Sequence, residues 1–156
     1  MPVDGSTPIL VVDSRRTTLR LVKDILAQLE FDNVETTVDA AKALDILGKA
    51  GPRLVIADLH MEPTSGLQLL RSIRSNDKLK RCPFIMAMNN LAPAEAIAAK
   101  HAGADGFVLK PFTPHALRTK IETVLSRQPD ARNLPERPWA PSLSASLGRR
   151  ITRRWG

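Results

Sequence analysis

Residues Leu54–Gly66 read LVIADLHMEPTSG. Leu54, Val55, Ile56 and Ala57 run straight into Asp58, and a loop holding Pro63 and ending in Gly66 follows. An unbroken apolar run of this length reads as a strand covered on both faces, since a half-wet strand would alternate. A strand of that kind ending in a carboxylate poses a choice. Asp58 either caps a turn where the strand stops, a common place for aspartate, or it carries chemistry.

Working outward, the same kind of run recurs at Ile9–Asp13, Val34–Val38, Phe84–Met88 and Gly106–Leu109. Between the runs the apolar period changes to that of a helix. Leu19, Val22, Leu26 and Leu29 share one face, as do Ala40, Ala43, Leu44 and Leu47 behind Asp39, an N-cap residue. A third helix carries Leu67, Leu70, Ile73 and Arg74 behind Ser65. A fourth, APAEAIAAKHAG, opens on a proline in its first turn and closes at Gly103. The fifth runs from Thr113–Pro114 through Leu117, Ile121, Val124 and Leu125. Five strands alternating with five helices predict an α/β fold with a doubly wound parallel sheet. ILVV and LVIA read as central strands, whereas VETTV alternates and reads as an edge. Functional groups of open α/β sheets gather beyond the carboxyl ends of the strands. Asp13, Asp58 and Lys110 all fall there. Two acids and an amine at one sheet edge weigh against a capping role for Asp58.

Length and composition bound the remaining classes. A chain of 156 residues suits one domain with a tail. It has no apolar run long enough to span a bilayer and no basic segment ahead of its first apolar run, so neither a membrane span nor a secretory signal is expected. Cys82 is the single cysteine, which excludes an internal disulfide and fits a reducing compartment; a cytoplasmic location is expected. The formal charge of +7 is uneven: residues 1–128 hold 17 Lys and Arg against 14 Asp and Glu, residues 129–156 hold 6 against 2. The hint of an anionic partner therefore belongs to the tail.

The segments ILVVDS, VIADLHMEPTSG and GADGFVLKPF, with 45 residues from Asp13 to Asp58 and 52 from Asp58 to Lys110, resemble the response-regulator receiver domains, above all the single-domain chemotaxis type. The resemblance covers about residues 8–126. It implies the flavodoxin-like (βα)5 fold with strand order 2-1-3-4-5. It also implies that Asp58 accepts a phosphoryl group from a histidine kinase or phosphotransfer protein. Mg²⁺ would be held by Asp13, Asp58 and the backbone carbonyl of His60, and Lys110 would pair with a phosphoryl oxygen. Lys110–Pro111 is implied to be cis, with His60, Asn89, Asn90 and Pro111 modulating the site.

Three positions depart from the family pattern. The second acid beside Asp13 is Ser14, whose hydroxyl can hold a metal-bound water but brings no charge, so a weakened Mg²⁺ site is expected. Met88 stands where the family has a switch Thr or Ser; a thioether donates no hydrogen bond, and a bond to a charged group contributes about 1.5–3 kcal/mol. Phe107 replaces the switch tyrosine, so its ring carries no hydroxyl. Asn89 also stands where a small residue is usual. The nucleophile and the lysine are kept, while the groups that read out phosphorylation are not. Met88 and Phe107 are expected to pack together and hold one conformation of the face that this family uses for partners.

Residues 1–128 are thus read as a receiver domain and 129–156 as a Pro/Ser/Arg-rich basic tail, expected to be disordered. Leu143, Leu147, Ile151 and Trp155 recur at i+4 steps among Arg149, Arg150, Arg153 and Arg154, a pattern suited to an anionic surface or a partner. The tail is too short for a DNA-binding output domain. Nothing in the chain resembles a Walker-type phosphate loop or a Ser/His/Asp set, so no enzyme with its own substrate is expected. Two readings of function stand side by side. One is a single-domain response regulator phosphorylated on Asp58 and acting on a downstream protein target. The other is a phosphorylation-independent adaptor that uses the receiver fold as a docking surface, with the tail as a further contact.

Overall fold

The central apolar runs pair with one another because each has both faces to bury and an unsatisfied backbone edge on either side. In the computed structural model, which describes residues 5–51, 53–90 and 92–126, they form one five-stranded parallel sheet. Its strands are β1 (Ile9–Val12), β2 (Val34–Thr37), β3 (Leu54–Asp58), β4 (Phe84–Met88) and β5 (Gly106–Leu109), in the order β2-β1-β3-β4-β5. The helices are α1 (Arg16–Gln28), α2 (Ala40–Ala50), α3 (Gly66–Ser75), α4 (Pro93–Ala102) and α5 (Pro114–Ser126). The expected order, the edge position of β2 and the element sequence all hold. The tail, residues 129–156, lies outside the described residues.

Alternation along the strands divides the core in two. Ile9, Val11, Leu54, Ile56, Ile85, Ala87 and Val108 point to one face and meet α1 and α5 through Leu19, Val22, Leu26, Leu117 and Ile121. Leu10, Val12, Val55, Ala57, Phe84, Met86 and Met88 point to the other and meet α2, α3 and α4 through Ala43, Leu47, Leu69, Leu70, Ile73 and Ala99. β3 is buried at all five residues, Asp58 included, whereas β2 has none buried.

Helix starts follow local chemistry. Asp39 accepts the amide of Ala41 at 2.8 Å. Ser65 forms a reciprocal capping box with Gln68, which takes the Ser65 amide at 2.8 Å while its own amide meets the serine hydroxyl at 3.2 Å. α4 ends on Gly103 at φ 109°, a left-handed conformation suited to glycine. Three details of the periodic reading are corrected. β1 stops at Val12, because Asp13 turns its side chain to the amide of Arg15. Leu29 lies just beyond α1, where it packs partly buried against the core, and Ile25 is buried there in addition to the expected residues. Leu69, not Leu67, is fully buried on α3.

Arg74, placed by period on the apolar face of α3, is a brace. Its guanidinium donates to the carbonyls of Gly103, Lys80 and Cys82 and to Asp105 Oδ2 at 2.8–3.1 Å. Asp105 Oδ2 also accepts the Phe84 amide at 2.8 Å. One side chain thus joins the end of α3, the start of β4, the end of α4 and the start of β5. Among the described residues no helix is long and apolar enough to cross a membrane.

Candidate functional site

Parallel register decides which residues meet. Val12 pairs with Ala57 and Asp58 with Ala87, so Asp13 and Asp58 emerge side by side at the carboxyl edge of the sheet. Met88 pairs with Leu109, and the Lys110 amide donates to the Met88 carbonyl at 2.8 Å, which carries the lysine to the same edge. Lys110 Nζ lies 3.0 Å from Asp13 Oδ2 and 3.2 Å from Asp58 Oδ1. Asp13 uses its other oxygen to accept the Arg15 amide at 2.9 Å. The three charged groups sit largely out of solvent, the acids at 3% and 5% exposure. Lys110–Pro111 is cis, as is Glu62–Pro63.

Two buried acids around one ammonium leave an excess negative charge in a poorly solvated place. Burial pushes the Asp58 carboxyl above its ordinary value; Lys110 opposes this by its charge and hydrogen bond, neighbouring Asp13 reinforces it, and His60 opposes it weakly. Desolvation therefore outweighs the lysine. Asp58 is a carboxylate that gains by meeting further positive charge.

The backbone behind Asp58 is shaped by Gly66, whose position at the first turn of α3 lies directly against that strand end. A Cβ there would overlap the carbonyl oxygen of Asp58 and lie 3.0 Å from Leu59 Cα. The glycine closing the opening motif is thus required by close approach of two backbones.

The other predicted residues fall around this centre. Ser14 is exposed beside Asp13. Among the described residues no group of three or more His, Cys, Asp or Glu gathers in metal-binding geometry, and Asp13 and Asp58 stand as a pair. An oxygen set of two carboxylates with backbone carbonyl and water fits a hard divalent ion such as Mg²⁺, which takes one or two carboxylates and keeps waters. Met88 is 1% exposed within the core cluster, and half-buried Phe107 packs against that same cluster. Asn89 and Asn90 are exposed. Asn89, Lys110 and Pro111 line a cavity of about 160 Å³ beside Leu21 of α1. His101 and His115 are exposed and Cys82 is buried, as expected.

One contact had no signal in the sequence. His60 Nε2 lies 3.3 Å from Glu95 Oε2 on α4. A separation of 35 residues with no motif joining them hides such a pair until the fold is known.

Residues 9–122 match the family model described as response regulator receiver domain. The chemotaxis protein CheY1 of Helicobacter pylori is 37% identical over 120 residues, covering 75% of this chain and 95% of the relative. Among solved structures, chemotaxis protein CheY4 of Vibrio cholerae superposes with a TM-score of 0.72 at 27% identity, covering 76% of this chain and 98% of that one. The receiver domain of the sensor histidine kinase PA1611 of Pseudomonas aeruginosa, which holds a magnesium ion in its active-site cleft, shares the fold with a TM-score of 0.70 at 19% identity; the match covers 78% of this chain and 98% of that one.

Proposed function

The chain belongs to the response regulator receiver domain family, and from that premise we propose that Asp58 is its phosphoacceptor. Receivers of this kind act in two-component phosphorelay signalling through protein–protein contact, and the match is to a receiver rather than to a catalytic domain. The observation that carries the assignment is Lys110 bridging Asp13 and Asp58 at 3.0 and 3.2 Å at the carboxyl edge of the sheet.

In this reading a carboxylate oxygen of Asp58 attacks the phosphorus of a phosphohistidine on a kinase or phosphotransfer protein. The P–N bond breaks with its electron pair returning to the imidazole. An anion attacking an anionic group needs charge neutralised nearby more than it needs covalent help. Lys110 supplies a point charge that can pass from the Asp58 carboxylate to a phosphoryl oxygen. Asp13, Asp58 and the His60 carbonyl would hold Mg²⁺, with Ser14 acting through a water. Bound there, the ion would neutralise developing charge on the transferred group. With Ser14 in place of an acid, its affinity is lower than three carboxylate charges would provide. Asn89 and Pro111 line the cavity beside Lys110, and together with Asn90 they would modulate access.

The test is intact mass after incubation with acetyl phosphate and Mg²⁺. A gain of about 80 Da, absent in Asp58→Asn, is the expected result. No gain at any Mg²⁺ concentration, with Ser14→Asp equally silent, refutes the assignment.

A second reading is favoured by one observation. Met88 is buried in the core with no hydrogen-bond donor to offer a phosphoryl oxygen, and Phe107 packs against the same cluster. In that reading the partner face keeps one conformation whether or not Asp58 is modified, and the chain acts as an adaptor. Equal signalling by wild type and Asp58→Asn would select it. The residues after 128, with their arginines and i+4 apolar residues, would add contact with a partner or an anionic surface in either case.

A further inference from the structure

Cations crowd the outer side of α1. Arg15, Arg16, Arg20 and Lys23 are all exposed, and among the described residues no acid forms an ion pair with any of them. Cations elsewhere do find acids: Arg53 meets Glu35, Arg74 meets Asp105 and Arg118 meets Glu122, none farther than 3.1 Å. Arg16, Arg20 and Lys23 follow at i, i+4 and i+7, so they form a stripe along the helix. Asp24 is the one acid of α1, and its first turn holds none, although the helix dipole would favour one there. Like charges at such spacings repel, so the stripe costs stability in the isolated domain. Leu21, 51% exposed, adds an apolar side chain to the same helix surface.

The chain leaves the domain next to this helix. α5 packs on the same face of the sheet as α1, through Leu117, Ile121 and Val124, and its last residue is Ser126. Strands β1 and β5 are parallel in the sheet, so α1 and α5 both run back towards its amino edge, and Ser126 stands nearer the Lys23 end of α1 than its start. Residues 127–142 can reach about 50 Å, against about 20 Å for the whole of α1. Beyond them come Leu143, Leu147, Ile151 and Trp155 at i+4 steps, among Arg149, Arg150, Arg153 and Arg154. Phosphates of a nucleic acid would satisfy the arginines but offer nothing to aliphatic side chains. A lipid headgroup layer presents phosphate with hydrocarbon just below it, and tryptophan suits that boundary.

We propose that the α1 stripe and residues 143–155 together bind an anionic lipid surface. The arginines and Lys23 would meet headgroup phosphates while Leu147, Ile151 and Trp155 enter the acyl boundary. The binding is independent of Asp58 as phosphoacceptor, and it gives the residues after 128 a single ligand. One cation near such a surface contributes about fivefold in affinity, and one short amphipathic segment is held only reversibly. The two parts act as linked ligands of one bilayer, so each raises the local concentration of the other.

Co-sedimentation of the full chain with vesicles tests this. Vesicles of phosphatidylcholine with about a third phosphatidylglycerol should bind it at least about tenfold more tightly than phosphatidylcholine alone, and added salt should weaken the binding. In Trp139→Phe, which leaves Trp155 as the only tryptophan, the emission should shift to the blue on anionic vesicles alone. Arg16→Gln with Arg20→Gln and Lys23→Gln should weaken binding about fivefold for each charge removed. These side chains are exposed, and an unchanged circular dichroism melt confirms that the fold is kept. Ile151→Ser with Trp155→Ser should weaken binding about tenfold or more while leaving every charge in place. Equal binding to both kinds of vesicle overturns the proposal, as does binding indifferent to the three α1 substitutions in a folded chain. Tighter binding to a DNA duplex than to anionic vesicles at equal phosphate, unaffected by the two apolar substitutions, assigns the cations to nucleic acid and also overturns it.

Discussion

Replacing Arg74 by methionine tests whether one guanidinium holds the amino ends of β4 and β5 in register. The bonds of its side chain include two to Gly103 O, one each to the carbonyls of Lys80 and Cys82, and one to Asp105 Oδ2. Lys80 is exposed, so water replaces that bond at little cost. Gly103, Cys82 and Asp105 are buried, and each loses a charged donor that water cannot easily replace. Breaking a buried pair from one side costs about 3–5 kcal/mol, because the remaining carboxylate stays out of water without its partner. For a domain of this size that lowers Tm by roughly 10–20 °C. Lysine should recover only part of the loss, since a point charge cannot reproduce a fork reaching four acceptors. Arg74→Met combined with Asp105→Asn should cost less than the two changes summed. Urea and thermal unfolding followed by circular dichroism measure all of these. A loss for Arg74→Met below about 1 kcal/mol, the worth of a surface pair, would refute the brace.

Three further outcomes are expected. Because burial raises the folded-state pKa of Asp58 above its unfolded value, the native state binds the extra proton between those values. Stability from this group is therefore highest in acid and declines as pH rises from the ordinary carboxylate range through the raised value. Asp58→Asn removes that decline, so it should be the more stable protein at neutral pH in urea titrations, with the gap closing in acid; a gap that widens in acid contradicts the charge balance. Ser14→Asp should tighten Mg²⁺ binding about tenfold or more by calorimetry, the worth of one added charged contact, and a change under about twofold would show that position 14 does not face the ion. Gly66→Ala forces a Cβ onto the Asp58 carbonyl and should cost about 1–3 kcal/mol in unfolding. It should also reduce labelling by acetyl phosphate, and wild-type behaviour in both measurements would contradict the close approach.

Much of this protein is local and therefore legible along the chain. Apolar period separated strand from helix, since a strand buried on both faces cannot alternate while a surface helix must. Asp39, Ser65, Pro93 and Gly103 marked helix ends through chemistry confined to a turn. Even the shared edge of Asp13, Asp58 and Lys110 was readable, because parallel strands joined by right-handed crossovers all finish on one side. Which groups then touch is set by three-dimensional packing over long separations. The period of α3 places Arg74 among apolar residues, and only the assembled ends of β4, α4 and β5 present the acceptors its fork fills. His60 and Glu95 carry no mutual signal, and the glycine at position 66 looks like any turn glycine until α3 is seen lying on Asp58. The sequence by itself determined the order of elements, the buried faces and the residues able to do chemistry, because those depend on neighbours a few positions away. Tertiary structure alone decided the distances between Lys110 and the two acids and the balance by which burial outweighs the lysine at Asp58. Desolvation and Coulomb energy depend on everything within several ångströms, whatever its place in the chain.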